Sequence, residues 1–353
     1  MRLAAYTLAV VTGVAAAAPV RAQGPADRLQ LRFDPSEEEA ALAIVAMHQA
    51  GRPVADSDWQ RLFATEPYQR LKRRETALHS PYALSDSEFK LFVLDSVAAH
   101  APALRQTLDA WKRADLTAAA SRAFAYLPAA ARIRAKVFPV IKPGINSFVY
   151  ETRADPTIFL YLNPDVPGPK FENTVAHELH HIGYATVSAR GDSAIAALPS
   201  DAHAAAEWVG AFGEGFAMLA AAGGPDVHPH AVSSAADRAR WDHDLANFDR
   251  DLAAVQQFLL DIVNGKLKTE EARDSVGYSF FGVQGPWYTV GWKMAVTIER
   301  RFGRTRLIDC MLEPRTVLAV YNQAAAEQIA AGGARLPLWS PELLRSLGVS
   351  ESR

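Results

Sequence analysis

The residues best suited to do chemistry lie in Phe171-Glu172-Asn173-Thr174-Val175-Ala176-His177-Glu178-Leu179-His180-His181. On a helix, residues four apart sit about 40° apart around the axis, so His177 and His181 share a face. Two neutral imidazoles on a rigid rod can hold a divalent zinc ion at tetrahedral angles. Glu178 lies beside that face rather than on it. There it can reach a metal-held water without ligating the ion, as a general base must. His180, three residues from His177, makes a competing pair; His177 with His181 is preferred because Glu178 then falls between the ligands. Pro169 precedes the segment, Val175, Ala176, Leu179 and Ile182 give it an apolar side, and Gly183 is expected to end it.

Two histidines hold zinc poorly, and a third protein ligand is expected, with water in the fourth position. The stretch 200–222 reads as one helix, opened by Ser200 or Asp201 as N-cap and closed by Gly223-Gly224. Glu214 is the one charge in its apolar run from Trp208 to Gly224, and a lone carboxylate there is costly to bury unless paired or metal-bound. Glu214 is therefore the expected third ligand, with Glu207 as the alternative. His203, Glu207 and Glu214 fall within about 40° of one another on a continuous helix, so His203 and Glu207 could orient a bound imidazole. Gly213 and Gly215 flank Glu214 and are expected to let another helix come close, since each costs about 1 kcal/mol relative to alanine.

His177-Glu178-Leu179-His180-His181 followed by Gly213-Glu214-Gly215-Phe216-Ala217 resembles the gluzincin group of metallopeptidases. In that group a Glu on a second helix completes a two-His, one-Glu site. The longer layout, with Trp59 and Tyr68 to Glu75 upstream and Tyr288-Thr289-Val290-Gly291-Trp292-Lys293 downstream, is similar to an uncharacterised bacterial family of zinc-dependent peptidases. The gap between His181 and Glu214 is longer than in the best-known gluzincins. The resemblance implies a zincin-like fold, a peptide or protein substrate, and hydrolysis of peptide bonds. It also implies that an edge strand, either 147–151 or 157–162, pairs with an extended peptide.

Hydrolysis needs a second donor for the developing oxyanion. Tyr288, following the Gly285-Pro286 turn, is the candidate; the competing reading makes Tyr288 and Trp287 packing aromatics. His228 and His230, on a Pro-bounded loop, are alternatives read as exposed. A zinc hydrolase of a non-peptide amide or ester, and a non-catalytic binding protein on the same fold, remain open. A structural zinc site usually has four closed ligands, often Cys, which one Cys and an intact Glu178 disfavour.

The elements that must position these groups follow from the rest of the chain. Arg2, the apolar run Leu3 to Ala18 and Val20-Arg21-Ala22 read as a secretory signal over 1–22, leaving 331 residues with net charge −4. Export to the periplasm or medium is expected, with no later membrane span, and the charge gives no nucleic-acid footprint. Cys310 reads as a buried thiol with no disulfide partner, so a large core must supply stability; 49% of the residues are hydrophobic. No segment sets an oligomeric state. Residues 23–353 read as one catalytic domain: a helical part (23–131), a sheet with the metal helix (132–190) and a second helical part (191–353). Ser36 to Glu39 reads as a capping box for a helix ended by Gly51. Strands are expected at 136–141, 147–151 and 157–162, giving an α+β, mostly helical fold with a small, mainly antiparallel sheet.

Overall fold

Apolar residues at helical spacing set most of the backbone, and the computed structural model describes residues 28–144, 147–164 and 166–349. The leader read at 1–22 lies outside the described residues. Strand β1 (Leu29–Phe33) is followed by helices α1 (Ser36–Gln49), α2 (Asp56–Phe63), α3 (Glu66–Ala77) and α4 (Asp86–Phe92). A π-turn over Val93–Val97 leads into α5 (Ala98–Lys112) and α6 (Leu116–Phe124). Strands β2 (Ile133–Val140), β3 (Phe148–Tyr150) and β4 (Thr157–Tyr161) then precede α7 (Gly168–Ala185), the helix carrying His177 and His181. After α8 (Ala189–Ala196) come α9 (Ser200–Val209), a 3-10 turn (Gly210–Phe212) and α10 (Gly213–Ala222). The rest is helical: α11 (Ala235–Ala246), α12 (Phe248–Val263), α13 (Glu270–Ser279), α14 (Pro286–Phe302), α15 (Arg304–Met311), α16 (Thr316–Ala330) and α17 (Pro341–Ser346). None of the helices among the described residues is long and apolar enough to cross a membrane.

The sheet runs β1-β2-β4-β3 and is mixed, which corrects the expectation of a mainly antiparallel one. β1 pairs parallel to β2 (Leu31 with Ala135), β2 parallel to β4 (Phe138 with Phe159), and only β3 runs antiparallel to β4 (Val149 with Ile158). Parallel neighbours need long crossovers, and α1–α6 form the one between β1 and β2. The chain then runs from β2 out to the edge at β3 and returns as β4 into the slot between them. Of the two strands expected to offer an edge, β3 has one, whereas β4 is covered on both sides.

Two apolar clusters meet along α7 and α10. The first joins α1–α6, the sheet and the inner face of α7 (Phe171, Val175, Leu179, Ile182). The second joins the later helices, with Phe212, Phe216 and Leu219 packed on Trp287, Val290 and Met294. Cys310 is buried in that second cluster, and burial pushes its thiol up to about 11, so it is inert packing. Gly183 does not end α7, which continues to Ala185; it sits where a Cβ would meet Leu127 at 2.3 Å and so brings the helix close to that side chain.

The capping box also fails at α1. Pro35 is the N-cap, and Glu37 and Glu38 turn inward to 0% exposure. Glu37 Oε2 accepts the Ile141 N–H at 3.0 Å, while Glu37 Oε1 and both Glu38 carboxyl oxygens have no protein partner. Burial raises the Glu37 carboxyl to about 8 despite that bond, and burial together with the neighbouring Glu37 charge raises Glu38 as well. Both groups are held neutral in the folded chain but ionise near their ordinary values once unfolded. The folded state therefore binds more protons between about pH 4.5 and 8, so stability is complete below that window and falls as pH rises through it. The slope is at most about 1.4 kcal/mol per pH unit for each carboxyl. Urea unfolding at pH 5 and pH 8 should show this loss, and Glu38→Gln should flatten it.

Residues Tyr68 to Glu75 lie on α3 and join the sheet rather than the metal-ligand cluster. The Tyr68 hydroxyl donates to Asp86 at 2.6 Å. The buried Arg70 guanidinium donates to the Asp155 side chain at 2.6 Å and its carbonyl at 2.9 Å, and also pairs with Glu151, tying α3 to the β3–β4 connection.

Candidate metal centre

One turn of α7 places His177 and His181 side by side, with ring centroids 4.8 Å apart. Their Nε2 atoms lie 3.1 Å from each other. Glu214 arrives from the first turn of α10, with its Oε2 3.1 Å from His177 Nε2 and 3.4 Å from His181 Nε2. These three residues form the group that can hold a metal ion among the described residues.

The fit to zinc can be tested on those separations. Ligand atoms placed about 2.0–2.2 Å from one tetrahedral ion stand about 3.4 Å apart. The observed spacing of 3.1–3.4 Å is already near that value, and two imidazoles with one carboxylate match the preference of zinc. Burial opposes the charge on His181, yet the Glu214 carboxylate outweighs it and pushes the ring up to about 9. Burial likewise opposes the Glu214 charge, but His181 and His177 hold that carboxyl far below its ordinary value.

Glu178 is partly buried beside the ligands. Burial raises its carboxyl first, Glu214 adds to this, and His177 and His181 pull against it. Tyr288, in the first turn of α14, lies nearly parallel to the His177 ring, at 20° and 6.3 Å between centroids. Burial, the Glu214 carboxylate and Glu178 raise its phenol, which stays protonated and able to donate. His180 turns the other way. Its Nε2 lies 3.3 Å from the Tyr126 carbonyl, and burial drives its pKa down to about 3, so it is a neutral core histidine.

His203 and Glu207 do not support the ligands. They pair with each other at 3.3 Å, with side chains 39% and 65% exposed. The stretch 200–222 is not one continuous helix: the 3-10 turn at Gly210–Phe212 separates α9 from α10. Three residues per turn rather than 3.6 advances the phase by about 20° per residue, which carries Glu214 off the face that His203 and Glu207 share. The loop histidines also depart from expectation. His228 pairs with Asp242 at 3.0 Å, but His230 is 1% exposed and packs on Trp241 instead of facing solvent.

The glycines beside Glu214 do different things. A Cβ on Gly213 would meet nothing within 4 Å, so the expected close approach is not there. A Cβ on Gly215 would lie 2.1 Å from Trp292 N and 2.4 Å from the Gly291 carbonyl carbon. α10 and α14 thus cross backbone to backbone at Gly215 and Gly291, which sets Glu214 and Tyr288 relative to each other. Gly215→Ala should force the helices apart, cost about 1–3 kcal/mol and weaken zinc retention. Thermal unfolding with and without zinc, beside zinc content after dialysis, measures both effects.

A mostly helical α+β chain with a small mixed sheet and a His, His, Glu cluster defines a metalloprotein class. The chain belongs to the family described as "putative zinc dependent peptidase (DUF5700)", whose model matches residues 59–329. The match spans α2 to nearly the end of α16 and includes all five site residues. No curated protein and no solved structure matches the chain.

Proposed function

We propose that this chain is an exported zinc-dependent metallopeptidase on a zincin-like fold, with residues 23–353 as one catalytic domain. The carrying observation is the convergence of His177 Nε2, His181 Nε2 and Glu214 Oε2 within 3.1–3.4 Å. His177, His181 and Glu214 would hold the ion. Zinc bound there supplies a Lewis acid that polarises a carbonyl and acidifies a water. Glu178 takes the proton as water attacks the scissile carbonyl carbon, then delivers it to the leaving amine nitrogen. The Tyr288 hydroxyl donates to the oxyanion that the attack creates. An extended substrate would pair with the free edge of β3.

Membership in a family described as zinc peptidases favours peptide bonds over other amides and esters. Digestion of a mixed peptide library, with and without chelator, tests the reading. New termini that vanish with chelator and return with zinc are expected; a zinc-loaded protein that cuts no peptide would remove the peptidase assignment.

A further inference from the structure

The first turn of α7 carries a cation where a helix least favours one. Lys170 lies seven residues before His177, which puts it within about 20° of that residue around the axis and about 10.5 Å along it, on the ligand face. The peptide dipoles of α7 place partial positive charge at that end, and a lysine opposes it. The side chain is half-buried, and burial lowers its pKa. No carboxylate pairs with it among the described residues. Asp237 acts on it from beyond ion-pair distance, and that carboxylate takes the Ser234 hydroxyl at 2.9 Å and pairs with Arg240. Lys170 Nζ donates instead to Ser233 Oγ at 2.9 Å.

Ser233 leads on to a second unpaired group. His230 is 1% exposed, and its Nδ1 lies 3.0 Å from Ser233 Oγ. Burial and the Lys170 charge push this ring down to about 4, so it is neutral. Ser233 has one hydroxyl hydrogen to give and Nδ1 is the acceptor beside it, which puts the ring hydrogen on Nε2. That Nε2 is buried and has no partner, and neither has the buried Nε1–H of Trp241, on which His230 packs. Buried donors left unpaired are costly. Gln284, four residues before Tyr288, also acts on the His230 ring, and its φ of 68° is in the left-handed region that a glutamine adopts only at a cost. Lys170, Ser233 and His230 thus continue the line set by His181 and His177 on α7 and by Tyr288 on α14.

We infer that Lys170, with Ser233 and His230 behind it, receives a carboxylate of the bound polypeptide. The inference rests on the peptidase reading and names the substrate class: peptides with an acidic side chain or a free C-terminus at a fixed remove from the cleaved bond. The axial rise from His177 to Lys170 corresponds to about three extended residues at roughly 3.3–3.6 Å each, so the carboxylate belongs about two to four residues from that bond. A carboxylate supplies the acceptor that Lys170 lacks and the negative charge that the N-terminus of α7 favours. A cationic or apolar group in its place would leave the lysine desolvated and unpaired.

The test uses zinc-loaded protein and one cleaved peptide remade in pairs. The pairs set Glu against Gln at each position in that range, and a free against an amidated C-terminus over the same range. One pair should differ by about 10- to 100-fold in kcat/KM in favour of the carboxylate, mainly through KM. A difference that follows Glu against Gln marks a side chain, and one that follows amidation marks the chain end. Lys170→Met should erase it, Lys170→Arg should keep most of it, and Lys170→Glu should turn the preference towards Lys at that position. Pairs that are cleaved equally well, or a Lys170→Glu protein that slows every peptide in proportion, would overturn the inference. A second arm needs no turnover. Its probes are acetyl-Ala-Ala-Glu-amide with its Gln counterpart, and acetyl-trialanine with its amide. Metal-free protein should bind one carboxylate probe at least about tenfold better than its neutral partner by ligand-observed NMR, and Lys170→Met should remove the difference. Equal binding within both pairs overturns the carboxylate site, whereas failure of the peptidase reading shows as carboxylate-selective binding with no peptide cut.

Discussion

Glu178→Gln should keep its zinc and lose about 10²–10⁴ of its peptidase turnover. The amide has the size and polarity of the carboxylate, so α7 should pack as before and the His177 and His181 rings should stay in place. What the variant lacks is an oxygen able to take a proton from the attacking water and return it to the amine. Glu178 follows His177 directly and lies beside the ligand face, not on it, so its removal should not open the metal site. Zinc content by atomic absorption, with kcat on a chelator-sensitive peptide, separates the two properties. Near-normal turnover in the variant would take Glu178 out of the mechanism.

Glu214→Ala should do the opposite: fold normally and fail to keep the ion. The surrounding helix, from Gly213 to Ala222, is otherwise apolar and well packed, so alanine suits it. The two remaining imidazoles make a poor zinc site. Losing a residue that merely orients a ligand weakens metal binding about 10- to 100-fold, and losing the ligand itself should cost more than about 100-fold. Competition with a zinc chelator gives the affinity, and circular dichroism checks the fold. A variant that holds zinc as tightly as wild type would show that another side chain fills the third position.

The cluster of His177, His181 and Glu214 was legible because its signals are local. The spacing of His177 and His181 needs only a helix to bring the rings together, and Glu214 stands out as a lone charge in an apolar run. Readings that carried a pattern across a break failed. His203 and Glu207 were placed by assuming an unbroken helix, and the 3-10 turn over Gly210–Phe212 defeats that assumption. Strand β1 was missed although Leu29, Leu31 and Phe33 alternate with exposed Gln30 and Arg32; five residues make a faint signal, and without β1 the sheet looked mainly antiparallel. Glu37 and Glu38 read as surface caps because acidic residues are rarely fully buried, and only the tertiary packing of α1 against β2 and its loop turns them inward.

The ligands sit on different cores, the histidines on the one that includes the sheet and Glu214 on the one built by the later helices. An ion bound between them acts as a clasp, and by thermodynamic linkage its grip and the docking of the two halves are the same free energy seen from two sides. At a free zinc concentration 100 times the dissociation constant, the clasp adds about 2.7 kcal/mol to the folded state. Compartments that differ in available zinc would therefore set how long this chain resists unfolding, as well as whether it can act.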